Sequence, residues 1–258
     1  MDRLSQAIGV TLIELPSVES TNRTIAGMAV RSELPHGAVL LAHEQTAGRG
    51  QRGRQWISAA GLDLTFSLLL RPQDMRADEQ FIIAQVAALA VHDTLVGHVP
   101  GAVRIKWPND VLVERRKVAG ILIENELIGD RVGQSIVGIG LNVNSRDLDA
   151  GLHATSMCLE TGGTLDRMAV FGQLMEHLRR RYAQGKEAPA RLRADYAERL
   201  WARGRWADML LDGQPASLRP MDVDGLGRLL VEHPDGSVRA HGLDRLRFAP
   251  FQGGMAVP

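Results

Sequence analysis

The chain has 258 residues, 45% of them hydrophobic, which is enough for one large core and a small appended module. Lys plus Arg and Asp plus Glu each number 30, so the formal charge is +0; a general pull toward nucleic acid or an anionic membrane is excluded, and any anion site must be a local cluster. The single cysteine, Cys158, excludes an internal disulfide framework, fits a reducing compartment and reads as a small buried residue.

In chain order, the opening MDRLSQAIGVTLIELPSVES lacks a basic start followed by a long apolar stretch, so it is not a secretory signal. Residues 9–15 suit an edge strand that Pro16 closes, and Ser20, Thr21 and Asn22 offer caps for a short helix over RTIAGMAVRS. Residues 37–43 and 62–70 read as buried strands, and residues 79–96 as the strongest amphipathic helix, with acids first and Gly97 after it. Four β-type runs follow at 103–107, 110–114, 117–128 and 134–142; their short connectors predict antiparallel pairing. Residues 166–184 and 187–203 read as two helices, and from Arg205 short β-like pieces broken by DG, DGLG and PDG turns predict a small barrel-like module. No apolar run approaches a membrane span, so the expectation is a cytoplasmic protein with no membrane partner.

The loop between the second and third strands, AGRGQRGRQW, places Arg49, Arg52 and Arg54 among Gly48, Gly50 and Gly53. Glycine lets backbone approach an anion closely and arginine offers forked donors to its oxygens. The spelling G-x-G-x-x-G fits a dinucleotide fold only if a helix follows, and here a strand does. A P-loop needs G-K-[ST] and a kinase loop needs HRD and DFG downstream; neither is present. What remains is a cationic loop suited to closing over an anionic ligand.

Five stretches in order, Glu19-Ser20-Thr21-Asn22, EQTAGRG from Glu44 to Gly50, Lys106-Trp107-Pro108-Asn109-Asp110, KVAGILIE from Lys117 to Glu124 and GIGLNVN from Gly138 to Asn144, give a chain that resembles the biotin protein ligases. The resemblance covers residues 17–144 strongly, continues through ATSM at 154–157 and includes the C-terminal module weakly. It implies an α/β (α+β) fold, a mixed sheet packed on helices as in class II aminoacyl-tRNA synthetases, with an SH3-like barrel behind it. The expected division is a catalytic domain over 1–204 and the barrel over 205–258. The implied reaction is that of a biotin–[biotin carboxyl-carrier protein] ligase, which forms biotinyl-5′-AMP from biotin and MgATP and passes the acyl group to a lysine of a carrier domain in acetyl-CoA carboxylase or a related carboxylase.

Such chemistry brings a carboxylate to an α-phosphate, so cations must offset two like charges. By similarity Lys117 stands beside both groups, and Lys106, Arg52 and Arg54 complete the catalytic set. Lys117 alternates with Ala119 and Ile121 on its strand, and Gly120 leaves room for ligand. Short polar groups of Ser20, Thr21, Asn22 and Gln45, with Arg49, Gly50 and Gln51 of the loop, are the biotin-binding candidates; capping is a second reading for Ser20 and Thr21. ATP is assigned to Arg52, Arg54, Trp56, Lys106, Asn109, Asp110 and Asn142, and Mg²⁺ to Asp110, since magnesium needs one carboxylate beside phosphates and waters. Trp56 is expected either to stack on adenine or to anchor the loop, and Trp107 either to pack in the core or to touch ligand.

Two departures from the family pattern stand out. Neutral Gln51 occupies a position where many members carry a second arginine, which puts retention of the adenylate in question. The Ser-Thr-Asn motif starts nineteen residues into the chain, which leaves no room before it for the helix-turn-helix of bifunctional members, so no nucleic-acid partner is expected. A homodimer stays open. The rival readings are a lipoate or octanoyl ligase, which shares fold and chemistry, and a non-catalytic biotin or nucleotide binder, which would not need Lys106, Asp110 and Lys117 together.

Overall fold

The computed structural model describes residues 3–31, 33–148, 151 and 153–250. The elements are α1 (Arg3–Ala7), β1 (Leu12–Val18), α2 (Thr21–Arg31), β2 (Val39–Gln45), β3 (Leu64–Leu70), α3 (Phe81–Val96), β4 (Val103–Lys106), β5 (Asp110–Val113), β6 (Arg116–Ile128), β7 (Arg131–Leu141), α4 (Met157–Thr161), α5 (Arg167–Glu187) and α6 (Pro189–Glu198). Five further strands follow: β8 (Ala207–Leu211), β9 (Gln214–Val223), β10 (Leu229–Glu232), β11 (Val238–His241) and β12 (Leu246–Phe248). The first seven strands form one sheet in the order β1-β2-β3-β7-β6-β5-β4. β1 and β2 are parallel and the remaining neighbours antiparallel; for β4 to β7 this is what their short connectors predict.

Alternation along the central strands sorts side chains to two faces. Leu64, Phe66 and Leu68 of β3, and Val137, Ile139 and Leu141 of β7, join α3 and α5 in the main core. Leu40, Leu69 and Ile136 point the other way and bury Ile25 of α2 in a second, smaller cluster. On that second face β7 carries Gly138 and Gly140, and β3 carries Ser67. The site is built there.

Three expectations need correction. Helix α3 is not amphipathic: residues from Ile83 to Leu95 are buried almost all round, because it lies between the sheet and helices α5 and α6, and a helix apolar on every side belongs inside. Pro16 does not close the first strand; β1 runs through it to Val18, which is tolerated because β1 is the sheet's edge. The sequence pattern also missed the short helices α1 and α4. Ser32, at the end of the expected second helix, lies outside the described residues, as do residues 251–258.

Strands β8 to β12 form a five-stranded antiparallel sheet in the order β11-β10-β9-β8-β12. Asp212 and Gly213 join β8 to β9 with φ of 51° and 81°, both positive as a two-residue primed hairpin turn requires. This sheet docks on the first through Gly227, whose carbonyl accepts from the Trp107 indole N–H at 2.9 Å and whose bare Cα rests on Phe81. Trp107 is thus a core residue, 2% exposed. Among the described residues no helix is long and apolar enough to cross a membrane.

Candidate active site

The floor of the site is glycine. Gly120 of β6 pairs with Gly140 of β7, and Leu122 with Gly138, so three bare positions lie together on the face opposite the main core. The Trp56 ring lies across Gly120 and Gly140; a methyl group on Gly120 would stand 2.9 Å from it, and one on Gly140 would run into it. Gly138 makes the same room for the Asn22 carboxamide. The alternation G-I-G therefore has a cause on each face, with glycine where side chains from α2 and the loop must sit and isoleucine where the core must be filled.

At one end of the floor stands a cluster of short polar groups at the start of α2. The Thr21 N–H and hydroxyl both donate to Gln45 Oε1, at 2.8 and 3.1 Å. The Ser67 hydroxyl lies 2.8 Å from Thr21 Oγ1 and donates to Asn22 Oδ1 at 2.6 Å. Asn22 in turn donates to the Leu122 carbonyl at 3.3 Å and to Glu124 Oε2 at 2.8 Å. Ser20, Thr21 and Asn22 are buried, and the Ser20 carbonyl begins the helix by accepting from Thr24 N–H. Burying so many neutral polar groups is tolerable only where they satisfy one another or a ligand.

At the other end stand the charges. The Lys117 ammonium is 2.6 Å from Asp110 Oδ1, a close ion pair although not an aligned hydrogen bond, and 5.4 Å from the centre of the Trp56 ring. Lys117 does not share a face with Ala119 and Ile121, as simple alternation predicts. The β5–β6 register shifts between Val111 and Leu112, and this bulge at Val118 turns Lys117 to the side of Gly120, whose bare Cα its ammonium approaches. Lys106, at the end of β4, completes the group. Burial pushes the pKa of its ammonium down; Asp110 acts against that, and the nearby charges of Lys117 and Arg54 add to it.

The loop between β2 and β3 is a compact hairpin. Arg49 bridges to Gln55, Gly50 N–H donates to the Arg54 carbonyl at 2.7 Å, and Trp56 N–H to the Gly48 carbonyl at 3.0 Å. Arg49 reaches Glu124 Oε1 at 3.1 Å, so Glu124 holds both the loop and, through its other oxygen, Asn22. Arg54 lies within electrostatic range of Lys106. Arg52, at φ 55°, is exposed, and Gln51 opens the short 3₁₀ turn beside Gly50. Trp56 serves as an anchor on the glycines, with its indole N–H buried and unpartnered.

Asn109 donates to the Ile121 carbonyl at 3.0 Å and so ties the β4–β5 turn to β6. Asn142 donates to the Thr155 carbonyl at 2.9 Å, while its Oδ1 is buried without a hydrogen-bond partner. The turn after it is held by Asp63, which accepts from the N–H groups of Val143, Asn144 and Ser145 and from the Ser145 hydroxyl. Sequence reasoning missed Ser67, Asp63 and Glu124. The signal for each was only a polar residue at the end of, or inside, an apolar strand.

Fold and site together define an α/β protein whose glycine-floored sheet face joins a neutral polar cluster to a cationic end. Residues 14–142, which carry nearly all of this face, match the Biotin/lipoate A/B protein ligase family. The chain is 34% identical over 220 residues to the biotin–[acetyl-CoA-carboxylase] ligase of Mycobacterium tuberculosis, covering 83% of this chain and 80% of that one. It is 35% identical over 182 residues to the bifunctional ligase/repressor BirA of Bacillus spizizenii, and spans only 55% of that protein's length. Among solved structures, the biotin protein ligase from Aquifex aeolicus in complex with biotin and ATP superposes with a TM-score of 0.76 at 26% identity, over 93% of this chain and all of the other. This chain belongs to the biotin/lipoate A/B protein ligase family.

Proposed function

We propose that the protein is an ATP-dependent biotin protein ligase. A biotin carboxylate oxygen attacks the α-phosphorus of ATP, forming the mixed anhydride biotinyl-5′-AMP and releasing pyrophosphate. The neutral amine of a carrier-domain lysine then attacks the acyl carbon, forming an amide, releasing AMP and shedding a proton. The observation that carries this reading is the juxtaposition on one sheet face of a hydrogen-bonded cluster at Thr21, Asn22, Gln45 and Ser67 and, beyond the glycines, the cations Lys117 and Lys106.

The neutral cluster suits a ureido ring, which offers N–H donors and a carbonyl acceptor. A lipoyl or octanoyl tail offers neither and would bring no hydrogen-bonding group to this polar cluster, which favours biotin over the lipoate alternative. Lys117, on the strand that supplies the floor, is placed to meet the carboxylate and the α-phosphate together, and Lys106 to meet the phosphates. Gln51, Arg52 and Arg54 lie on the loop that would cover them. Trp56 lies across the glycine floor, and Asn142 presents its free acceptor to the nucleotide.

Among the described residues no group of three or more His, Cys, Asp or Glu side chains could hold a metal. A magnesium ion brought in with ATP needs less than that, and Asp110, a partly buried carboxylate beside Lys117, fits as its single carboxylate. Bound there, the ion would neutralise phosphate charge. The carrier domain of a biotin-dependent carboxylase is the proposed acceptor.

The test is pyrophosphate release with MgATP and either biotin or lipoate, with and without a purified carrier domain. Biotin-dependent release and a biotinylated carrier are expected. Release with lipoate alone, or none with either acid, rejects the reading.

A further inference from the structure

Lys106 ends the outermost strand of the first sheet, and two aromatic rings from outside the family match flank its ammonium. The centre of Trp201 lies 5.9 Å from Nζ and that of Phe248 5.7 Å, while the two rings meet edge to face at 4.9 Å and 75°. Neither ring is casually placed. The Trp201 N–H donates to the Ile105 carbonyl at 2.8 Å and the Ile105 N–H to Arg199, so the segment after α6 runs beside β4 as an added ladder. Phe248 is 8% exposed on β12, which pairs with β8, and the Ala249 N–H donates to the Asp208 carbonyl at 3.0 Å. The Trp107 contact to Gly227, one residue from Lys106, ties the same two sheets together.

A cation can be held by a carboxylate or by the faces of aromatic rings, and the two differ in what they leave behind. A carboxylate cancels the charge and competes with any incoming phosphate. Rings hold the ammonium in place while its full charge stays available. Asp110 pairs with Lys117 at 2.6 Å, and its charge also acts on Lys106, to which the rings add a fixed seat. We propose that Trp201 and Phe248 are positioning residues for Lys106, orienting its ammonium toward the nucleotide phosphates, so that the C-terminal sheet completes the ATP side of the site. The inference rests on the ligase reading for its choice of ligand, and its test reads ATP binding directly.

ATP and biotin affinities of the full chain are measured by calorimetry, and pyrophosphate release is followed in parallel, for the wild type, F248L, W201L, F248Y, W201F, K106M and K106M/F248L. F248L and W201L are expected to weaken ATP binding about tenfold and to raise KM for ATP, while biotin affinity stays at the wild-type value and F248Y and W201F retain it all. In the K106M background F248L should change ATP affinity no further. Equal weakening of ATP and biotin, wild-type ATP affinity in both leucine variants, or a full F248L effect without Lys106 overturns the proposal. A wild type that binds ATP yet releases no pyrophosphate sinks the ligase reading alone, and one that binds no ATP sinks both.

Discussion

Lys117 and Asp110 face each other at 2.6 Å across two neighbouring strands, and they meet only because a bulge at Val118 turns the lysine off the core face. Without ligand the pair keeps a partly buried ammonium and carboxylate from standing alone. An arriving carboxylate and phosphate would share the lysine, leaving an Asp110 oxygen for the metal side. Lys117→Met should therefore slow pyrophosphate release by about 100-fold or more, since it removes charge stabilisation at the reacting centre. Biotin affinity should fall far less. Single-turnover pyrophosphate release and calorimetry on the same samples check this, and an unchanged release rate would refute the assigned role.

The glycine floor gives a position-specific prediction. A methyl group at Gly138 collides with the Asn22 carboxamide, and one at Gly140 with the Trp56 ring. Gly138→Ala should weaken biotin binding at least about tenfold by displacing a hydrogen bond of the polar cluster, whose loss costs on the order of 1–3 kcal/mol. Gly140→Ala should disturb the wall at Trp56. Gly163→Ala meets no atom within 4 Å and serves as the silent control. Titration of biotin into the three variants distinguishes a floor built for close approach from glycines of no consequence.

Much of this site was readable in one dimension because its parts recur at short range. The GIG alternation separates a face that receives Asn22 and Trp56 from a core face, KWPND puts Lys106 and Asp110 on either side of one turn, and DG turns mark the second sheet. What could not be read is what depends on distant pairing. Ser67 sits in an apolar strand and joins the polar cluster only because α2 begins over it. The bulge reverses the face of Lys117, which a two-residue period cannot foresee. Helix α3 looked amphipathic because the polar Glu79 and Gln80 were counted as its start, whereas the helix itself opens on Phe81 and three packed neighbours bury it. Trp201 and Phe248 carry no local signal pointing to Lys106.

Gln51 stands in a loop that carries the cations Arg49, Arg52 and Arg54. Of these, Arg49 is committed to Glu124, and Arg54 lies near Lys106. Gln51→Arg would add a charge beside Gly50, where it would meet the phosphate of the adenylate. The expected result is slower escape of biotinyl-5′-AMP, by about three- to tenfold, since one charge contact is worth roughly 1 kcal/mol at a partly exposed site. Rapid dilution of preformed complex followed by a trap reads the escape rate, and equal rates for the two proteins would dismiss a role for position 51.

Asp93 gives a prediction about stability. Its carboxylate accepts from Arg181 Nε at 2.6 Å and lies 3.2 Å from His92 Nδ1, while Arg181 also reaches Asp195 at 2.6 Å, so one guanidinium on α5 links α3 and α6. Burial alone would raise the Asp93 pKa, but the hydrogen bonds from His92 and Arg181 and the arginine's charge outweigh it and hold the carboxyl well below the usual range. A depressed folded-state pKa contributes stability that is complete above the unfolded value, about 3.9, and lost as pH falls below it, because the unfolded chain takes up a proton that the folded chain refuses. Asp93→Asn should thus cost about 2 kcal/mol at pH 7, the worth of a charged hydrogen bond. The gap to wild type should narrow as urea unfolding is repeated from pH 5 down to pH 3. A gap constant over that range would mean that packing of the three helices, and not the ionised carboxylate, sets the contribution of this position.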